Sequence, residues 1–283
     1  MVSTKKAEEW IKTNPKNREI VKLFSTGSNL AKNVEGVPDR YIIDFSDMSL
    51  EDANNYDIPF RQVKSILPHE RKNNRNQRLK DNWWKYEGNR NQMRSAIALL
   101  SCYFTVPRVS KWAVFLPAPL NWLPGDLSVV VASDDFYVLG ILTSNVHRLW
   151  VKAQSSTLKG DTRYTHTTCF ETFPFPQPPR KGGSRTAPTD NLVQQIRNKT
   201  IALHEYRTQQ MEQKQWGITQ LYNEYFDEPA SKLYQLHQEL DKLVMQAYKF
   251  KADDNILVKL LELNFELTEK EKRGEKVIGA ESP

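Results

Sequence analysis

The sequence predicts an α+β protein: a mixed α/β portion over residues 1–180, then a small helical portion over 190–283. Three observations carry this reading. Between Tyr103 and Leu142, short β-branched and aromatic runs are split by Pro and Gly turns, the pattern of strands. Beyond Asp190, leucines recur at spacings of three and four, the pattern of helices. Between the two lies Arg180-Lys-Gly-Gly-Ser-Arg-Thr-Ala-Pro-Thr, whose composition marks residues 181–189 as a linker.

Taken in order, Ala7 to Leu23 reads as a helical lead-in, broken in two at Asn14-Pro15. Tyr41 to Phe45 is a short strand. Ser49 is an N-cap, with Glu51 and Asp52 in the first turn where the helix dipole favours acids. Val63 to Trp84 is polar and basic, and Arg90 to Leu100 is helical. Strands are expected at 104–109, 113–116, 128–132 and 137–142, with Asp134-Asp135 as the turn between the last two. Val146 to Ala153 is a short helix. Phe173 to Pro179 cannot be a central strand, because four prolines remove ladder donors. Asp190 caps a helix running to Lys214. Further helices are expected near 218–226, 230–249 and 256–265, the third with Leu233, Leu236, Leu240, Leu243, Val244 and Ala247 on one stripe.

The chain has 283 residues, 39% hydrophobic and 11% aromatic, enough for a packed core. Two cysteines, Cys102 and Cys169, make neither a disulfide framework nor a four-ligand zinc site, which points to a reducing, cytoplasmic setting. The N-terminus is charged where a signal peptide is apolar, and no apolar run reaches membrane-spanning length. The net charge is +6, but Arg61 to Lys111 holds twelve Lys/Arg against three acids, a local +9 that leaves −3 for the rest. A polyanion partner or a solvated basic face both produce such a window.

Catalytic signatures are missing. There is no GxGxxG and no GxxxxGK[ST]. His147, His166 and Cys169 are the residue types of a thiol nucleophile with a histidine base, yet no local signature surrounds Cys169, which reads as a small buried residue. The five histidines show no metal spacing. On its own residues the chain reads as a binder rather than an enzyme.

Several segments in order resemble one family. They are Tyr41-Ile-Ile-Asp-Phe, the Arg71-to-Trp84 basic run, Thr105-Val-Pro-Arg-Val-Ser-Lys, Leu139 to Trp150 and Arg163-Tyr-Thr to Cys169-Phe-Glu-Thr-Phe-Pro-Phe-Pro. Together with Gly217-Ile-Thr-Gln-Leu-Tyr-Asn, Leu240 to Tyr248 and Leu257 to Asn264 they are similar to the target-recognition domain and closing helical domain of large adenine-N6 DNA methyltransferases. These include restriction–modification enzymes of types IIG and IIL and relatives in phage defence. The resemblance covers about residues 5 to 270. It implies sequence-specific recognition of double-stranded DNA, with S-adenosylmethionine bound by a methyltransferase domain or subunit rather than by this chain. The departure is that no cofactor loop and no Asn-Pro-Pro-aromatic tetrapeptide occur here; the single Asn-Pro, at Asn14-Pro15, precedes Lys16. A separate specificity subunit, or a single-strand binder using Trp83, Trp84 and Trp112 as stacking platforms, are the competing readings.

Phosphate contacts give affinity and base contacts give sequence. The tract Asn74 to Arg78 has residue types for both, so Arg71, Arg75, Arg78 and Arg90 are candidate DNA contacts. Arg108, Ser110 and Lys111 lie at a strand-to-loop junction. Arg148, Lys152, Lys159, Arg163 and Thr165 complete the set, with Arg163 or Arg108 as the base reader. The phenylalanines of Phe-Pro-Phe-Pro are expected to anchor the exit of the recognition domain.

Overall fold

Val2–Ser3 forms β1 and runs into α1 (Thr4–Thr13). The Asn14 side chain then accepts from the Lys16 N–H and opens a 3-10 turn over Pro15–Glu19. The chain continues through β2 (Val21–Ser25), α2 (Gly27–Lys32), β3 (Arg40–Ile43), α3 (Leu50–Asn54), α4 (Asp57–Arg71), α5 (Gln77–Asp81) and α6 (Asn91–Ile97). Next come β4 (Cys102–Pro107), β5 (Val109–Ser110), β6 (Leu116–Pro119), β7 (Trp122–Pro124), β8 (Ser128–Val131), α7 (Phe136–Thr143), α8 (Asn145–Gln154), β9 (Ser156–Leu158) and β10 (Asp161–Arg163). A single π-helical turn spans His166–Phe170. The last helices are α9 (Asp190–Lys214), α10 (Ile218–Asp227), α11 (Lys232–Tyr248) and α12 (Ile256–Lys272). This is a computed structural model, and it describes residues 1–177, 190–277 and 279. The expected linker at 181–189 lies outside the described residues.

Two compact units divide the chain. The first holds residues 1–25, 38–99 and 119–125; the second holds 26–37, 100–118 and 126 onward. The first unit is a four-stranded sheet, ordered β1-β3-β2-β7, in which only the β2–β7 pair is parallel. Val2, Trp10, Ile20, Val21, Ile43, Phe45 and Phe60 form its core. Val21 and Leu23, expected in a helix, are strand residues instead: they pair with Ile43 and Tyr41. The 3-10 turn at Pro15 ends the helical run, and pairing with β3 then sets the conformation of β2. Ser49 caps α3 as expected, its hydroxyl accepting from the Asp52 N–H at 3.0 Å.

The second unit combines the sheet β6-β4-β8, the small sheet β5-β10-β9 and the helices α7 to α12. Its one cluster of buried residues joins Phe104, Val106 and Val131 of the strands to Ile196 and Leu203 of α9, Leu221 of α10 and Leu236 and Leu240 of α11. Among the described residues, the helices after 190 therefore share a core with residues before 180, and the expected 180/190 division does not coincide with a boundary in packing.

Residues 137–142 are helical, not the expected strand, and Asp134-Asp135 joins a strand to a helix. Every residue from Tyr137 to Leu142 is buried. A run apolar on all sides has no periodicity by which strand and helix differ. The Asp135 carboxylate decides it, accepting the Tyr137 N–H at 2.8 Å as an N-cap while Arg197 of α9 grips it with two hydrogen bonds at 2.7 and 2.6 Å. Gly140 then permits α7 and α9 to touch. A Cβ at this position would stand 2.4 Å from Thr200 Oγ1 and 2.8 Å from Ile196 Cγ2.

The shared core makes two outcomes testable. Gly140→Ala overpacks the α7–α9 contact and should lower unfolding free energy by about 1–3 kcal/mol in urea; adding Thr200→Ala should recover part of the loss. A fragment of residues 190–283 should give no cooperative urea transition, since its apolar faces lose their strands. A sharp transition would show that the helices close a core of their own.

Candidate nucleic-acid interface

In the first unit, much of the basic window is tied to its own backbone. Arg71, at the end of α4, is half-buried and donates to the carbonyls of Asn82 and Lys85 at 3.4 and 2.5 Å. It is a brace, not a free DNA contact. Arg94 holds the buried Asp44 carboxylate at 2.8 Å, and Lys85 donates to the Asp47 carbonyl at 3.0 Å. The asparagines of the Asn74–Arg78 tract are also occupied. Asn74 accepts from the Asn76 N–H at 2.8 Å, and Asn76 accepts from the Arg78 N–H at 3.1 Å to cap α5. Arg75, Arg78 and Arg90 remain exposed. Trp83 and Trp84 pack on the core, Trp84 donating to the Met48 carbonyl at 3.0 Å, so neither is a free stacking platform.

In the second unit Ser110, Lys159 and Arg163 lie on the sheet β5-β10-β9 or its turn. Arg163 pairs with Val109 and Ser156, and Thr162 with Ser110 and Thr157. Lys159-Gly160 turns the hairpin with both φ positive, at 53° and 89°, which is a two-residue type I′ connection. All three β9 residues are exposed, and a Cβ at Gly160 would meet nothing within 4 Å. The hairpin thus projects from its unit, and Lys159 and Arg163 stand exposed on it. The hairpin is not among the elements expected from the sequence; Leu-Lys-Gly-Asp between short polar runs is its signal.

One buried residue fixes the hairpin's base. Tyr164 comes directly after Arg163 and is fully buried. Its N–H donates to the Arg108 carbonyl at 2.8 Å, and the Arg108 N–H donates to the Leu127 carbonyl at 2.9 Å. Its hydroxyl shares a hydrogen bond with His147 Nε2 at 3.1 Å, and its ring meets Phe115 edge-on at 5.4 Å. His147 is packed on Phe173 at 4.4 Å. The Phe-Pro-Phe-Pro segment is therefore an anchor, as expected, with Tyr248 of α11 donating to the Pro174 carbonyl at 2.8 Å.

The remaining candidates divide. Lys152 is exposed in the last turn of α8, and Lys111 is exposed over the Trp112 ring at 5.0 Å. Arg108 is half-buried and reaches the Asp126 carbonyl at 3.4 Å. Thr165 is half-buried, and its carbonyl accepts from the Cys169 N–H at 2.7 Å. One residue is removed from the set by its packing: Ser110 is buried and donates to the Trp112 carbonyl at 2.7 Å. Arg148 is exposed, lies over the Phe226 ring at 4.8 Å and donates to Asn145 Oδ1 at 2.9 Å. Trp112 donates to Asn223 Oδ1 at 2.9 Å and packs on Phe226, so it is structural. Cys169 is fully buried. Among the described residues, no group of three or more His, Cys, Asp and Glu is placed to hold a metal, and no helix is long and apolar enough to cross a membrane.

Burial holds His147 neutral, pushing its pKa down to about 3. The unfolded ring titrates near 6.5, so this contribution is whole above pH 6.5 and drains away as pH falls toward 3. Lowering pH from 7 to 5 should cost about 2 kcal/mol through His147. His147→Gln should flatten the urea-stability profile between those pH values; an unchanged slope would mean that His147 is not the titrating group.

Three comparisons bear on this arrangement. Residues 1–177 match the family described as "MmeI, target recognition domain". DNA methyltransferase A of Bacillus subtilis (strain 168) is 32% identical over 152 residues, covering 51% of this chain and 15% of that protein. Type IIL restriction–modification enzyme MmeI, solved in complex with DNA, matches with a TM-score of 0.64 at 15% identity, over 94% of this chain and 33% of that one. At that identity the structural likeness is one of fold. The chain spans a minor part of both proteins.

Proposed function

The chain belongs to the MmeI target recognition domain family, and from that premise we propose that it reads double-stranded DNA by sequence for an adenine-specific methyltransferase of a restriction–modification system. The observation that carries this is the projecting β9–β10 hairpin, with exposed Arg163 held in place by buried Tyr164. A two-stranded ribbon fits the major groove of B-form DNA, and a guanidinium there takes the O6 and N7 acceptors of guanine. Arg163 is the base reader in this proposal. Arg75, Arg78 and Arg90 on the first unit, and Lys111, Lys152 and Lys159 on the second, supply phosphate contacts.

Methyl transfer falls to a methyltransferase domain or subunit, which holds S-adenosylmethionine and takes the adenine out of the stack. The chain itself carries no Gly-containing cofactor loop and no Asn-Pro-Pro-aromatic tetrapeptide. A soluble, cytoplasmic setting accords with such a role, and Cys102 and Cys169 form no disulfide.

The test is a salt titration on target and random duplexes. Log affinity should fall against log salt with a slope of about −0.9 per phosphate neutralised. Replacing Arg75 and Arg78 together with Ala should flatten that slope by up to about 2 units on both duplexes. Arg163→Ala should instead cost roughly 1–3 kcal/mol on the target and little on random DNA. Tighter binding to single strands than to duplex, or variants matching wild type in slope and in target-to-random ratio, would overturn the reading. The chain alone, given radiolabelled S-adenosylmethionine and duplex DNA, should transfer no methyl groups; label in the DNA would mean a methyl-transfer site in these residues.

A further inference from the structure

The hairpin carries an apolar side chain that the fold does not use. Leu158 is the last residue of β9 and keeps 50% of its surface exposed. In an antiparallel pair, directly opposed residues share a face. Leu158 opposes Asp161 and Ser156 opposes Arg163, so Ser156, Leu158, Asp161 and Arg163 stand on one face, and Thr157 and Thr162 on the other. Leu158 and Arg163 are diagonal neighbours there, within reach for long side chains.

Single exposed leucines are common on proteins. Position distinguishes this one. It sits beside the turn of a projecting ribbon, next to Lys159, diagonal to Arg163 and directly opposite Asp161. Two cations stand around it against one carboxylate, a net positive balance that suits a polyanion. Of the bases that B-form DNA exposes in its major groove, thymine alone presents an apolar methyl group there.

Resting on the DNA-reading role proposed above, we infer that Leu158 is a specificity residue that packs on the methyl group of a thymine within the site, one base step or so from the base pair that Arg163 reads. Burying one methyl-sized group is worth about fourfold in affinity, about 0.8 kcal/mol. Leu158 thus favours thymine over cytosine, and over uracil, at one position.

The experiment selects duplexes with the full chain at low salt from two randomised pools, one made with thymine and one with uracil in its place. Wild type should enrich a motif from the thymine pool in which one T·A column loses about fourfold preference in the uracil pool while the other columns persist. Leu158→Ala should lose that same column from the thymine pool, and Leu158→Met should keep it. The salt slope should be unchanged in both variants, which also reports that they are folded. A wild-type motif identical in both pools, or a Leu158→Ala motif identical to wild type, overturns the assignment of Leu158 and leaves the DNA-reading role standing. Salt-dependent binding without any motif overturns both.

Discussion

The buried contact between Tyr164 and His147 is the constraint on which the candidate reading surface depends. Arg163 is exposed on a three-residue strand, and a strand that short has little rigidity of its own. Its neighbour Tyr164 is fixed by a backbone hydrogen bond to Arg108, an edge contact with Phe115 and a hydroxyl bond to a neutral histidine. Removing that hydroxyl would leave a buried imidazole nitrogen without a partner, at a cost of about 1–3 kcal/mol. The same imidazole meets Phe173, so the Phe-Pro-Phe-Pro segment that leads toward the C-terminal helices also supports the base of the hairpin.

The C-terminal helices belong to that support. Tyr248 of α11 fastens the Pro174 carbonyl, α9 packs on α7 at Gly140, and Arg197 of α9 holds the aspartate that caps α7. Deeper in the unit, Arg207 is fully buried and donates to the Tyr222 hydroxyl, which in turn meets His237 Nε2 at 2.8 Å. Burial and then this guanidinium hold His237 well below its ordinary pKa. The hairpin is thus presented by a unit whose helices and strands share one core, the arrangement required if a side chain is to meet a base edge with sub-ångström precision.

Charge in the Arg61–Lys111 window serves two purposes. Arg71 braces the irregular segment between α5 and α6, and Lys85 and Arg94 brace the one between β3 and α3, where backbone carbonyls and one buried carboxylate need donors. Arg75, Arg78 and Arg90 have no such duty among the described residues and stand exposed. Net charge therefore overstates the surface offered to a polyanion.

The sequence by itself determined much of this protein. The α+β class, the leucine-striped helices, the Ser49 cap and the resemblance to a methyltransferase target-recognition domain all came from local pattern or ordered motifs, and the family match bears the last of these out. The anchoring role of Phe173 and Phe175 was legible too, because alternating proline leaves large rings nothing to do but pack. Tertiary structure alone decided four things. Residues 137–142 form a helix, because an all-apolar run carries no period and the deciding groups, Asp135 and Arg197, are 62 residues apart. The helices beyond 190 share a core with the strands, because a composition shift marks a linker without saying which faces meet across it. Ser110 and Arg71 are occupied, because residue type announces what a side chain can bind and only the fold determines whether a backbone carbonyl already holds it. The β9–β10 hairpin, finally, was hidden by its brevity: three-residue strands have no period to detect, and it takes pairing with β5 and burial of Tyr164 to make them a ribbon.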